Sequence, residues 1–376
     1  MEAKPSSPLS PSARDVRLDA FRGVLLLCMT SNHLGSPLTR FTVEPLGFVS
    51  SAEGFVFLAG YLAGVVYSRH LETEGDRLNR RHVWHKAGQI YLWHLCLLAV
   101  GLAVAFYIGD YDNPISNIFT LFYANPVQAM TSSVLLAYQP PLFDILPLYI
   151  MGLVLTPVVL SHARRRGWGW PLFLSFACWA GAQCGIKPAL LGHVKEYWIV
   201  WMGAFDCFAW QFLWVGGLAL GTWRYERLKL GKPWHVTPLI TVPSLLLGGW
   251  LLAVRQQWID APWVWDYFPY ILDKWTLAPL RLLNMAALVI LFIGFVPERL
   301  PRWMITPLAL LGRHSLQVFC FQIVAALAAM SLIYATAADE VQSTLITLAT
   351  MGSLYLPAWL CECKYLRRRN ARVQQS

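Results

Sequence analysis

The chain has 376 residues, 56% of them hydrophobic and 14% charged, with 18 Trp and a formal net charge of +9. Ordinary soluble domains carry roughly 25% charged residues, and the mean hydropathy here is +0.46, so the composition excludes a soluble enzyme. The positive charge does not indicate nucleic acid, because Lys and Arg fall between apolar runs rather than on one face among base-reading aromatics.

Residues 1–18, MEAKPSSPLSPSARDVRL, are Pro- and Ser-rich, with neither an apolar core nor a small-residue cleavage site. They read as a cytoplasmic tail rather than a signal peptide. Apolar runs then predict spanning helices near 19–35, 54–68, 88–108, 143–161, 170–186, 208–223, 236–254, 276–296, 307–333 and 341–360. The expected fold is an all-α integral membrane protein of about ten transmembrane helices, each of about 20 mostly apolar residues. A single polytopic domain covers 19–360, and a basic cytoplasmic tail covers 361–376.

Lys and Arg concentrate in loops that remain in the cytoplasm. Lys4, Arg14 and Arg17 precede the first span; Arg77, Arg80 and Arg81 follow the second; Arg164, Arg165 and Arg166 follow the fourth. Arg224, Arg227 and Lys229 follow the sixth, Arg299 and Arg302 the eighth, and Lys364 and Arg367 the tenth. The alternate loops hold Arg40, Lys187, Lys195, Arg255 and Lys274. The alternation predicts an even number of spans with both termini in the cytoplasm, and setting topology is role enough for most of these cations. Trp168, Trp170, Trp223, Trp263, Trp265 and Tyr267 stand at span ends, where aromatic side chains anchor the membrane interface.

The eight Cys show no zinc-type pairing; Cys361 and Cys363 are one residue apart and the others are scattered through apolar runs. The topology allows Cys184 and Cys207 to face the same extracytoplasmic loop and to form a disulfide there. No His, Cys, Asp or Glu group has ligand spacing along the chain, so no metal and no resident cofactor are expected.

Ionisable groups inside spans are costly and mark function or paired structure. Arg22, His33, Glu53, His94, Asp206 and Arg281 are such groups. Arg22 and His33 lie eleven residues apart on the first span, roughly 20° past three full turns and about 16 Å along the axis. They share one face at opposite depths. Asp19 is placed to hold Arg22 as an i, i+3 partner, and a forked guanidinium at the cytoplasmic mouth suits a phosphorylated ligand. At the other end, His33 has the chemistry to take a proton from a hydroxyl, with Glu53 one loop away to orient it. A bland reading stands beside this one, in which His33 caps a helix end and Glu53 is a solvated loop residue. Tyr91 and His94 are packed aromatics or site residues, and Arg281 either binds a carboxylate or pairs with Asp206 or Asp144.

The stretch RLDAFRGVLLLCMTSNHLGSPLTRFTVEPLGFVSSAEGFVFLAGYLAGVVYSR, residues 17–69, resembles the opening signature of the OpgC family, named for succinyl transfer to osmoregulated periplasmic glucans. Its Arg, ten residues, His pattern is also similar to the wider membrane-bound acyltransferase family three. The resemblance continues through QIYLWHL at 89–95, LFDILPLYI at 142–150, FDCFAWQFLWVGG at 205–217, LDKWTLAPLRLLN at 272–284 and LGRHSLQVFC at 311–320. The chain departs from the family pattern at Ser51, at Ala59 and at the Asp206–Cys207 pair.

The resemblance implies a bacterial inner-membrane, multi-pass enzyme that takes a succinyl or acetyl group from cytosolic acyl-CoA, a co-substrate, and passes it to a hydroxyl of a periplasmic or extracellular glycan. Within it His33 is the catalytic histidine, as general base or acyl acceptor, with Glu53 in the family's acidic position. Arg22, Asp19, Arg69 and Arg313 fall on the donor side. Arg281, Asp273, Lys274, Asp206 and Asp144 fall on the acceptor or acyl side. Acyl-CoA, the glycan and the bilayer are the implied partners; a homo-oligomer is allowed. The competing classes are a transporter or flippase using His33 and Arg281 as path residues, a haem protein ligated by His33 and His94, and a non-catalytic subunit of a glycan-synthesis complex.

Overall fold

The computed structural model describes residues 15–108, 113–195, 198, 200–232, 236–296 and 301–373. The expected tail therefore lies outside the described residues over 1–14, as does the end of the basic C-terminal tail over 374–376. The chain is 80% helical, with no strand among the described residues.

The first half runs α1 (Val16–Leu34), α2 (Thr39–Thr42), α3 (Ser51–Thr73), α4 (Asp76–Ile108), α5 (Pro114–Ile118), α6 (Thr120–Ala124), α7 (Pro126–Val134), α8 (Ile145–Arg166) and α9 (Gly169–Gln183). The second runs α10 (Ile186–Lys195), α11 (Cys207–Lys229), α12 (Pro238–Arg255), α13 (Pro262–Asp266), α14 (Phe268–Ile271), α15 (Pro279–Phe295), α16 (Arg302–Arg313), α17 (Ser315–Ala335), α18 (Glu340–Ser353) and α19 (Tyr355–Val373). Local chemistry sets several boundaries. The Asp15 side chain accepts from Arg17 N at the start of α1, and Gly35 ends that helix at φ +64°, a left-handed conformation that glycine takes without steric cost. Ser50 and Glu53 form a capping box on α3, and Asp206 caps α11 by accepting from Phe208 N and Ala209 N.

Six stretches are long and apolar enough to cross a membrane: α3, α4, α8, α12, α17 and the joined run Glu340–Arg367, with α15 a shorter apolar helix. The chain is a multi-pass membrane protein. The first, fifth and sixth expected spans, α1, α9 and α11, are not in that set: α9 has only 15 residues, and α1 and α11 carry charge. Arg17, Asp19 and Arg22 lower the hydropathy of α1, while Arg224, Glu226, Arg227 and Lys229 lower that of α11. Both are shielded by protein instead: Trp210, Leu218 and Leu26 are fully buried. The expected ninth span is two helices that meet at His314, and the tenth is two that meet at Leu354.

Backbone contact between helices replaces side-chain interdigitation at the centre. Gly60 and Gly64 on α3 face Gly217 and Gly221 on α11, and a Cβ on Gly221 would lie 2.0 Å from Tyr61 O. Small residues four apart let two membrane helices approach this closely. Gly23 on α1 and Gly312 on α16 form a second such seam, since a Cβ on Gly312 would lie 1.8 Å from Asp19 O. These seams hold α1, α3, α11 and α16 in register around the region described next.

Candidate active site

His33 sits in the last turn of α1 and is half-buried. Its Nδ1 lies 3.0 Å from Nε2 of Gln322 on α17, a residue with no exposed surface. With Nδ1 taken, Nε2 is the ring nitrogen that this contact leaves over. The other amide atom of Gln322, Oε1, is buried and has no partner among the described residues. A half-turn of the amide exchanges donor for acceptor at the same distance, so Gln322 can hold the imidazole in either tautomer. The α1 end itself is pinned by Thr42, whose hydroxyl donates to Asn32 Oδ1 at 2.7 Å, and by Asn32 Nδ2 donating to Thr42 O at 3.2 Å.

Glu53 points elsewhere. It has no exposed surface, accepts from Arg281 Nη1 at 2.7 Å and takes both the backbone N–H and the hydroxyl of Ser50. Arg281 also donates through Nη2 to Glu44 at 2.6 Å and through Nε to Leu272 O at 3.0 Å. The expected partners Asp206 and Asp144 are thereby corrected: Arg281 on α15 pairs with Glu44, in the loop between α1 and α3, and with Glu53, in the first turn of α3. Arg255 donates to Glu44 at 2.9 Å, and Asn284, one turn beyond Arg281, accepts from Phe48 N at 2.7 Å. The cluster clamps residues 44–53, the segment that follows His33.

At the other end of α1, Arg22 opens onto a cavity of about 370 Å³. Its walls come from α1, α3, α4, α8, α11 and the α16–α17 junction, and its polar lining includes Arg22, Lys86, Tyr149, Arg313 and His314. The volume lies within the range of about 300–1,000 Å³ usual for ligand pockets. The Arg22 guanidinium stands 5.6 Å from the centroid of Phe55 and beside the Tyr149 hydroxyl, which itself donates to Phe55 O at 3.0 Å. Its Nε is buried with no partner among the described residues. Glu362 accepts from Arg313 at 2.5 Å and lies 2.8 Å from His314 Nε2. Phe55 and Phe319, stacked 6.1 Å apart, line the cavity too, and Gln322 lies one turn beyond Phe319 on α17.

The structure brings Arg22 and Arg313 into one cavity; Asp19, buried on α1, and Arg69, exposed on α3, do not line it. Lys86, His314 and Gln322 were not singled out in the sequence. Charge alone would have flagged the first two, whereas a lone Gln in an apolar run gives no signal.

On the His33 side, Lys274 stands over the rings of Trp275 and Phe205, at 5.3 and 5.9 Å, and acts electrostatically on His33. Asp273 closes the turn beneath it by accepting from Thr276 N and Oγ1, each at 2.7 Å. Asp206 is spent on capping α11, and buried Asp144 accepts from Ala204 N at 3.3 Å. The loop at 201–206 is tied to this turn by Asp206 N donating to Trp275 O at 2.9 Å. Tyr91 donates its hydroxyl to Val134 O at 2.7 Å, and His94 is fully buried with neither ring nitrogen partnered among the described residues. All eight Cys are free thiols, Cys184 and Cys207 included.

No curated protein and no solved structure matches the chain. The profile described as OpgC protein matches residues 14–364, nearly the whole length. With its helical membrane fold and its His-bearing first helix in that frame, the chain belongs to the OpgC family.

Proposed function

We propose that the protein is a transmembrane O-acyltransferase that moves a succinyl or acetyl group from cytosolic acyl-CoA to a hydroxyl of an extracytoplasmic glycan. Family membership points to a glucan-modifying, transferase-type activity. The observation that carries the finer reading is the division of α1: Arg22 in a cavity lined by cations at one end, and His33 held by Gln322 at the other.

In this reading the phosphates of the donor meet Arg22, Lys86 and Arg313, since guanidinium and ammonium groups recognise phosphate strongly. The acyl thioester extends past Phe55 and Phe319 toward His33. There Nε2 removes the proton of the glycan hydroxyl while its oxygen attacks the thioester carbonyl carbon. The C–S bond breaks, and the proton passes from the imidazolium to the departing thiolate. With its amide turned so that Oε1 faces the ring, Gln322 accepts from Nδ1–H and leaves the lone pair on Nε2 for the acceptor side. Lys274 and the aromatic rings beside it form the acceptor face, while Arg281 acts as a clamp for the 44–53 loop. The reading carries with it the inner-membrane location, about ten spans and cytoplasmic termini that the charge pattern predicts.

The test is transfer of radiolabelled acyl groups from acetyl-CoA and succinyl-CoA, by wild type and His33→Ala in liposomes, to a panel of periplasmic glucans and exopolysaccharides. Label in the glycan that disappears with His33 is the expected result. Transfer undiminished in His33→Ala overturns the mechanism, and no transfer by folded wild type overturns the enzyme reading in favour of a transporter or a non-catalytic subunit.

A further inference from the structure

Away from the α1 axis, the turn between α3 and α4 gathers three potential ligands. His70 lies in the last turn of α3, Glu74 caps that helix, and His82 lies on the second turn of α4. His70 Nδ1 is 2.7 Å from Glu74 Oε1, and His82 Nε2 is 2.9 Å from Glu74 Oε2. The two imidazole rings are 5.2 Å apart, and one ligand atom from each of the three residues falls within 4.8 Å of the others. Spacing along the chain hides this group. His70 and Glu74 form an ordinary i, i+4 pair, and the third member arrives from the next helix, because Gly75 at φ +83° reverses the chain.

We propose that His70, Glu74 and His82 bind a divalent transition-metal cation of the zinc class, which staples the corner between α3 and α4. Two imidazoles and one carboxylate suit zinc, cobalt or nickel better than magnesium or calcium, which take all-oxygen sites. A tetrahedral ion with bonds of about 2.0–2.1 Å sets its ligands roughly 3.4 Å apart. The short contacts, made to the two different oxygens of Glu74, must open by about half an ångström or more, and the separations that reach toward 4.8 Å must close, by side-chain rotation at this corner; water completes the fourth position.

The place gives the staple a consequence. Tyr67, one turn before His70 with its ring 6.2 Å away, lines the cavity that holds Arg22, and so does Lys86, one turn after His82. A bound ion joins the two walls at that point. The site does not depend on the acyl-transfer reading, and it is tested without an activity assay.

The experiment uses the full-length protein in detergent, stripped with a chelator and titrated with Co²⁺ followed by its visible absorption, then with Zn²⁺ in competition. Wild type is expected to bind one equivalent saturably, with the intense bands of low-coordinate cobalt. Loss of even an outer partner of a metal site costs about 10–100-fold in affinity, so Glu74→Gln and His82→Ala are each expected to lose at least that. His85→Ala, on the same exposed helix, is the control and should bind like wild type. No saturation up to millimolar metal overturns the proposal. Equal binding by the His70→Ala/His82→Ala double variant also overturns it, by assigning the metal to other histidines. All these side chains are at least partly exposed, and matching gel-filtration profiles verify that each variant is folded.

Discussion

Gln322 Nε2 stands 3.0 Å from His33 Nδ1, joining the end of α1 to the middle of α17 across 289 positions of sequence. The contact engages Nδ1 and leaves Nε2 clear of Gln322. In the proposed mechanism His33 is the base, and a base loses rate when its orienter goes, because a misplacement of about 1 Å costs about 10²-fold. Gln322→Leu, which keeps the bulk and removes both polar atoms, should therefore lower kcat by about that factor with little change in KM for acyl-CoA. Gln322→Glu should retain more activity than Leu, since a carboxylate still accepts from Nδ1–H. Steady-state rates and a melting curve for each variant check this: a Leu variant that is equally stable and fully active would show that the contact orients nothing.

The cavity proposed for the donor makes a different prediction. Arg22, Lys86 and Arg313 line it together, and Arg313 is shared with Glu362. Arg22→Ala should raise the KM or Kd for acyl-CoA by about tenfold or more, as one charged hydrogen bond of roughly 1.5–3 kcal/mol is lost, while His33→Ala should leave donor binding unchanged. Equilibrium binding of a non-hydrolysable CoA thioether separates the two. Equal affinity in wild type and Arg22→Ala would remove Arg22 from the donor site.

Much of this architecture was legible in sequence because lipid is a simple solvent. It demands helices of a set length, so apolar runs located helices close to where they form; α8, predicted from 143 and observed from Ile145, is one case. The pairing of Arg22 with His33 on one helix was legible for the same reason, being a matter of periodicity. What was not legible depends on which helix meets which. Glu53 looked like the orienter of His33 because a short loop separates them in sequence, yet its carboxylate turns to Arg281, 228 positions away. Gln322 could not be seen because nothing in one chain ties it to His33. The Gly60/Gly64 and Gly217/Gly221 pairs were present in sequence as small residues four apart, but spacing alone does not name the partner helix.

That seam supports its own prediction. A Cβ on Gly221 would stand 2.0 Å from Tyr61 O and 2.9 Å from Tyr61 C, both backbone atoms that cannot step aside. Gly221→Val should force α3 and α11 apart, at about 1–3 kcal/mol or more for overpacking. Gly216→Ala on the same helix is the matched control: nothing lies within 4 Å of its Cβ, and alanine is the better helix former. Thermal unfolding in detergent should show the first destabilised and the second unchanged or slightly stabilised. A tolerated Val would mean that the two helices are less closely seated.

Arg281 tests whether the buried charge cluster is scaffold or binding site. It is 2% exposed, with two carboxylates and a carbonyl on it, and Glu53 has no exposed surface at all. Removing one partner of such a pair leaves a buried charge uncompensated and costs about 3–5 kcal/mol. Arg281→Met should therefore destabilise the fold and lower activity equally with acetyl-CoA and succinyl-CoA. Adding Glu53→Gln should recover part of the lost stability, because it removes the stranded charge, while Arg255 continues to hold Glu44. The melting temperatures of the two single variants and the double variant measure that coupling. A loss confined to succinyl-CoA, with stability intact, would instead make Arg281 the cation that reads the free carboxylate of the acyl group.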